Sequence, residues 1–136
     1  MKRRAVIPVG LAVAAAAVPA GIAVARPDQG RSVNVRMSEF RFQGPVPLSA
    51  GRTTFRIRNA GAFPHNFTVV YATPGNRKFA SRTLKPGQTQ RLTVRLKPGA
   101  YVAICTVGNG FHASRGMIKR FSIGKFDPTT GKWSAS

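Results

Sequence analysis

Short runs in which apolar and polar residues alternate constrain the fold of this chain more than any other feature. The alternation is clear over residues 33–37, 40–42, 54–58 and 91–96. A period of two residues places successive side chains on opposite faces of a β-strand, one toward a core and one toward solvent. The pattern therefore predicts half-buried strands.

Three further runs, over residues 67–71, 101–105 and 118–123, are rich in β-branched and aromatic residues. The run 101–105 is almost continuously apolar, which predicts burial on both of its faces. Gly and Pro turn signals separate most of the seven runs. Seven to eight short strands at this spacing predict an all-β fold, an antiparallel Greek-key sandwich or barrel of about one hundred residues.

Outside these runs the sequence carries little pattern. No stretch after residue 25 shows a helical stripe, and Gly-Asn-Gly at 108–110 is typical of a hairpin turn. The tail after Gly124 is predicted to be loosely held.

The N-terminal segment has the organisation of an export signal. Three basic residues at 2–4 precede an uncharged run over residues 5–25, which ends in a small-x-small cleavage pattern at 23–25. We predict a secretory signal peptide over residues 1–25, with a retained N-terminal anchor as the alternative, and a single domain over residues 26–136. The protein is then exported, to the periplasm or the extracellular face of the membrane.

The charge balance is extreme. The chain has 22 Lys plus Arg against 3 Asp plus Glu, and residues 26–136 retain 19 basic and three acidic residues, a net charge of +16. In an exported protein such a charge predicts an anionic partner: membrane headgroups, a cell-wall polymer or an acidic protein, whereas nucleic acid is not expected. The alternative is a solubilising basic surface without a partner.

Several kinds of chemistry are excluded by the same composition. The three carboxylates, Asp28, Glu39 and Asp127, lie far apart in sequence. Paired-carboxylate hydrolysis and carboxylate-rich Mg²⁺ or Ca²⁺ sites therefore lack their ligands, and a single cysteine forbids an internal disulfide. The remaining reactive groups are the cysteine, two histidines and the methionines.

Those remaining groups are concentrated near one another. Six residues separate Cys105 from His112 and four separate His112 from Met117, while His65 opens another strand. Two imidazoles, a thiolate and a weak axial thioether are the ligands of a type 1, or blue, copper centre. Alone, Cys105 would be interpreted as a buried small hydrophobe and Met117 as core packing. Together the four residues predict one mononuclear copper site per chain.

The sequence resembles the cupredoxins of the plastocyanin and azurin type over residues 33–123. The segment 59–66 is similar to the family's Asn…Gly…Pro-His-Asn motif, and the segment 101–117 is similar to its Tyr…Cys…His…Met motif. The resemblance implies four copper ligands: His65, Cys105, His112 and Met117. It also implies that Asn66 and Thr106 brace the two ligand loops by hydrogen bonds.

The resemblance implies one-electron transfer. The excess of positive charge predicts that the partner of the monomer is an acidic or membrane-associated redox protein. Phe63, Pro64 and Phe111 are predicted to form an apolar rim where that partner docks; their alternative role is core packing. The gap between Cys105 and His112 is longer than in plastocyanin. The glycines at 108 and 110 would allow this loop to flex.

Two other functions stay open. One is copper storage or delivery by the same ligands, and a weaker one is a basic β-barrel that binds anionic polymers or single strands on aromatic side chains. A binuclear copper centre needs two cysteines, and multicopper oxidases need several His-x-His pairs, which this chain lacks. No enzymatic activity is expected, because an electron carrier needs no acid, base or nucleophile.

Overall fold

The computed structural model describes residues 30–47, 49–72 and 77–135, so the predicted signal peptide over residues 1–25 lies outside the described residues. Within them the chain forms ten strands and one short helix. They are β1 (Arg31–Ser38), β2 (Arg41–Gln43), β3 (Gly51–Asn59), β4 (Thr68–Tyr71), β5 (Lys78–Ala80), β6 (Thr89–Leu96), β7 (Gly99–Ile104), α1 (Phe111–Ser114), β8 (Ile118–Ile123), β9 (Lys125–Asp127) and β10 (Lys132–Ser134). None of the helical segments in this part of the chain is long and apolar enough to cross a membrane.

Eight of these strands form two four-stranded sheets, in the orders β2-β1-β3-β6 and β5-β4-β7-β8. The predicted Greek-key sandwich of seven to eight strands is confirmed. The prediction that the sandwich is antiparallel throughout was wrong, because β1 and β3 pair in parallel. The reason is that β2 returns antiparallel along one edge of β1, so that β3 starts from the same end as β1 and runs along its other edge.

The core lies between the two sheets and is filled by every second residue of the strands. The first sheet contributes Val33, Val35, Met37, Phe55 and Ile57, and the second contributes Val69, Tyr101, Ala103, Phe121 and Ile123. The ring of Phe67 lies between those of Phe42 and Phe55, at centroid distances of 5.3 and 5.1 Å. Interdigitation of the two inner faces is what holds a sandwich of this kind together.

The prediction that residues 101–105 are buried on both faces was wrong. Tyr101, Ala103 and Cys105 are buried, whereas Val102 and Ile104 are only partly covered. Strand β7 is interior to its sheet, between β4 and β8. Its outward-facing residues Val102 and Ile104 are therefore only half-covered, while the alternate residues face the core.

The prediction of a loosely held tail was also wrong. Strands β9 and β10 form a hairpin in which the rings of Phe126 and Trp133 are 5.3 Å apart. The Asp127 carboxylate accepts hydrogen bonds from the Thr129 amide and the Thr130 hydroxyl at 2.8 and 2.9 Å, which orders the turn. Strands of three residues, such as these two and β5, are too short to show a period in sequence.

The ends of β1, β3 and β7 meet at one end of the sandwich, which we call the metal pole for the cluster described below. The Ala60 amide after β3 donates to the Met37 carbonyl of β1. The Asn66 side chain on the loop after β3 bonds to Thr106 after β7. The two loops that carry the cysteine and the histidines are thereby brought together.

Candidate metal centre

The loop that carries His65 is built around one buried asparagine. Asn59, the last residue of β3, is fully buried; its amide nitrogen donates to the carbonyls of Phe63 and Leu84 at 2.8 Å, and its oxygen accepts from the Gly61 amide. The His65 amide donates to the Leu84 carbonyl at 3.0 Å, and the Leu84 amide donates back at 2.7 Å. The backbone at His65 is therefore held on both sides.

The second loop runs from Cys105 to Met117. Gly108, Asn109 and Gly110 have φ angles of 67°, 52° and 85° and lead into α1, whereas the sequence suggested a plain hairpin turn and no helix. Helix α1 carries His112. The Met117 amide donates to the His112 carbonyl at 3.0 Å, and the Met117 carbonyl accepts from the Cys105 amide at 3.2 Å. Backbone hydrogen bonds thus connect the two ends of this loop to each other and to the helix.

These two loops bring three metal-binding side chains into one buried cluster, His65, Cys105 and His112. The two histidine Nδ1 atoms are 3.0 Å apart, and the Cys105 sulfur lies 3.9 Å from Nδ1 of His65 and 3.5 Å from Nδ1 of His112. All three ligand atoms lie within 4.8 Å of one another. A soft sulfur and two imidazole nitrogens in this arrangement fit a copper ion.

Met117 lies beside this cluster through its backbone bonds to Cys105 and His112, and its side chain is fully buried. Asn66 and Thr106 join the two loops by reciprocal hydrogen bonds of 2.8 Å. The Asn66 amide also lies 3.5 Å from the Cys105 sulfur, as a donor. A donor on a thiolate sulfur adjusts its electron density and so the redox potential of a copper bound to it.

The structure adds a residue that sequence reasoning missed, Glu39. Its Oε1 accepts from Nε2 of His65 at 3.0 Å and from the Ala62 and Phe63 amides at 2.8 and 2.9 Å. On this network, the His65 proton is assigned to Nε2, which leaves the Nδ1 lone pair directed at the cluster. The available signal was that Glu39 is the only carboxylate between residues 33 and 123 of a very basic chain.

Two pKa shifts describe the electrostatics of the site. The Phe63 amide, with smaller contributions from His65 and Ala62, lowers the pKa of Glu39 from 4.5 to about 2 despite its desolvation. Burial, with a smaller electrostatic contribution from the neighbouring His65, lowers the pKa of His112 below its ordinary value. Neutral imidazole is the form that binds a metal, so the burial of His112 favours the binding-competent state.

Exposed aromatic side chains surround the cluster. Phe63 and Phe111 are 57% and 50% exposed, and Pro64 is exposed beside them. These positions are at the metal pole, as a docking rim requires, and not in the core. Sequence reasoning missed Phe40, whose ring lies 5.1 Å from His112 and 6.2 Å from Phe111.

The carboxylate at Glu39 gives the copper-free protein a specific pH dependence. A pKa lowered on folding stabilises the protein above about pH 4.5, and this stabilisation is lost as pH falls toward 2. The full shift corresponds to about 3 kcal/mol, which screening at a side chain 27% exposed reduces to about 1–2 kcal/mol. Urea unfolding should show Glu39→Gln less stable than wild type by that amount at pH 6 and nearly equal at pH 2.5. A stability difference that stays constant over this range would contradict the assignment.

No protein-family model matches the chain, and no curated protein matches its sequence. Solved structures do match. The reduced auracyanin of the photosynthetic bacterium Roseiflexus castenholzii superimposes with a TM-score of 0.59 and 18% identity, over 71% of this chain and 98% of the auracyanin. A multi-copper oxidase from Pediococcus acidilactici superimposes with a TM-score of 0.52 and 15% identity, over 89% of this chain but 31% of the oxidase.

The match covers nearly the whole of the auracyanin, which is a cupredoxin, and about seven-tenths of this chain. At this identity the match shows the fold, while the site is described by this chain's own residues. The chain has the cupredoxin fold, and its buried cluster of His65, Cys105 and His112 fits the ligand set of a type 1 copper site.

Proposed function

We propose that this chain is an exported mononuclear type 1 copper protein that carries single electrons between redox partners. The observation that carries the proposal is the convergence of two imidazole nitrogens and one cysteine sulfur within 4.8 Å in a buried site. His65, Cys105 and His112 would hold the metal, and Met117 would supply a further, weakly bound sulfur. Bound copper would alternate between Cu(II) and Cu(I).

The chain's own contribution is to keep the ligands in place in both oxidation states. The two ligand loops are joined by the reciprocal bonds of Asn66 and Thr106, and His65 is held by Leu84 and Glu39. Ligands fixed in this way need little rearrangement when one electron arrives or leaves. All three side chains of the cluster are buried, so the site favours holding a metal over binding a substrate.

The route for the electron is proposed to pass through His112. Its side chain is 8% exposed and lies beneath Phe40 and Phe111, on the side of the cluster nearest solvent. The exposed rim formed by Phe63, Pro64 and Phe111 gives a partner an apolar surface to contact at this point. Such a contact would exclude water and would place the partner's redox centre close to the His112 ring.

The direct test is titration of the protein with Cu(II), followed by visible absorption and EPR spectroscopy. One equivalent should produce an intense blue thiolate-to-copper band. Rapid electron self-exchange, measured on mixtures of the oxidised and reduced protein, would support the carrier. Rapid transfer of copper to a metal-free acceptor, with slow self-exchange, would instead indicate storage or delivery. Absence of the band while Cys105 remains reduced would contradict the copper site itself.

The partner is proposed to be an acidic or membrane-associated redox protein that binds the monomer. Long-range attraction to an exported domain of net charge +16 over residues 26–136 should accelerate association and should be screened by salt. Stopped-flow reduction by an acidic partner should therefore slow by roughly tenfold or more between 10 and 200 mM salt. A rate independent of ionic strength would rule out electrostatic steering.

A further inference from the structure

Four arginines cluster on the outer face of the β2-β1-β3-β6 sheet, on the side opposite the core. They are Arg36, Arg56, Arg58 and Arg91, and we call this surface the arginine face. Each alternates along its strand with inward-facing residues such as Val35 and Ile57, so all four side chains lie on the solvent side and are exposed.

Strand register places these arginines next to one another. Arg36 is opposite Arg58 across β1 and β3, and Arg56 is opposite Arg91 across β3 and β6. Opposed residues of paired strands are about 5 Å apart, and two residues along a strand add only about 7 Å. Like charges in such positions oppose folding. Four cations within one small area therefore favour the binding of anions.

The described part of the chain does not supply those anions at this surface. Glu39 is bonded to His65 and to two loop amides, and Asp127 is bonded within the β9–β10 hairpin. The contact given for Arg36 is a 3.3 Å hydrogen bond to the neutral Gln43 amide oxygen. An external anionic group would therefore find guanidinium groups whose charge is not neutralised by either of these carboxylates.

The surface also has a shape that can receive anionic groups. A groove of about 700 Å³ is lined by all four arginines, with Gln43, Gly44 and Pro45 along one wall. A planar guanidinium offers paired N–H donors that match two oxygens of a phosphate. The groove contains no aromatic side chain, so it lacks the stacking surfaces on which single-stranded nucleic acids bind.

We propose that the arginine face binds the phosphate groups of an anionic lipid bilayer. A sheet directs all four side chains to one side, as contact with a planar surface requires. Protein partners usually need an apolar or aromatic centre, which this chain exposes at the metal pole and not in the groove. Contact along the side of the sandwich would leave the rim at its end free for a redox partner. The proposal does not depend on copper.

The test compares binding to phosphatidylglycerol-containing and pure phosphatidylcholine vesicles, using the copper-free protein recovered after export. The ratio of the two affinities is the measured quantity, because an apolar N-terminal segment would contribute similarly to both. The triple variant Arg56→Gln, Arg58→Gln and Arg91→Gln should lower this ratio by about 100-fold, from roughly fivefold per basic residue at the surface. A matched control, Lys78→Gln, Lys125→Gln and Lys132→Gln, removes the same charge from exposed sites on other elements.

The control should lower the ratio by no more than a few-fold. Equal losses in the two triple variants would show that net charge alone is responsible and would overturn the proposal. It would also be overturned if the arginine variant lost binding to an oligonucleotide or an acidic protein while vesicle binding was unchanged. Thermal unfolding identifies a folding defect, which is not expected because the substitutions relieve repulsion between exposed arginines.

Discussion

Replacement of Cys105 by serine should abolish the blue absorption band of the copper-loaded protein. The thiolate is the source of that band and the softest ligand in the cluster, whereas a hydroxyl is a hard and far weaker ligand for Cu(I). Removal of a residue that hydrogen-bonds to a metal ligand typically lowers metal affinity by about 10–100-fold, and removal of the ligand itself should lower it further. Absorption, EPR and a competitive Cu(I) titration measure both effects.

The matched control for this variant is Met117→Leu, at a fully buried methionine whose backbone is bonded to Cys105 and His112. Because the axial thioether is a weak ligand, the blue band should survive in Met117→Leu while the reduction potential changes. Circular dichroism should show both variants folded, since serine and leucine nearly match the volumes they replace. A blue band that persists in Cys105→Ser would refute the assignment of Cys105 as the thiolate ligand.

The second large effect is expected from Asn59→Ala, which does not touch the cluster. The change removes three hydrogen bonds at a fully buried position and leaves the Phe63 carbonyl without the amide that it accepts from. At about 0.5–1.5 kcal/mol for each bond, with a small cavity added, we expect a loss of about 2–4 kcal/mol. Urea unfolding of the copper-free protein measures this loss directly.

The chain offers a control with the same chemical change, Asn34→Ala, at an exposed position on β1. That substitution should alter stability by less than about 0.5 kcal/mol. Asn59→Ala should also weaken copper binding, because Asn59 fixes the loop between Gly61 and His65. If the two alanine variants proved equally stable, the hydrogen bonds of Asn59 would not be what organises the His65 loop.

The candidate copper site shows which of its residues local sequence patterns can identify. The Asn…Pro-His-Asn segment and the Cys-to-Met segment are short enough for sequence alone to identify their ligand residues. Three of the four predicted ligands form one cluster in the structure. Glu39 could not be found in this way. It lies 26 residues from His65, and their contact depends on where the turn after β1 meets the loop after β3.

The errors in the fold have a similar origin. Alternation identifies a strand face, but whether the second face of β7 is covered depends on whether another layer packs on that sheet. Likewise, the pairing of β1 with β3 is parallel because of the path that β2 takes between them. A three-residue strand such as β9 becomes regular only through its partner, β10.

By itself, then, the sequence determined the two-residue period, the turns, the positions of the metal-binding residue types and the excess of positive charge, because each is a property of neighbouring residues. The tertiary structure alone decided that Glu39 orients His65 and that Arg56 lies beside Arg91. Both contacts join residues distant in the chain. They arise from strand register and loop packing, which the burial of the whole core sets and no local segment encodes.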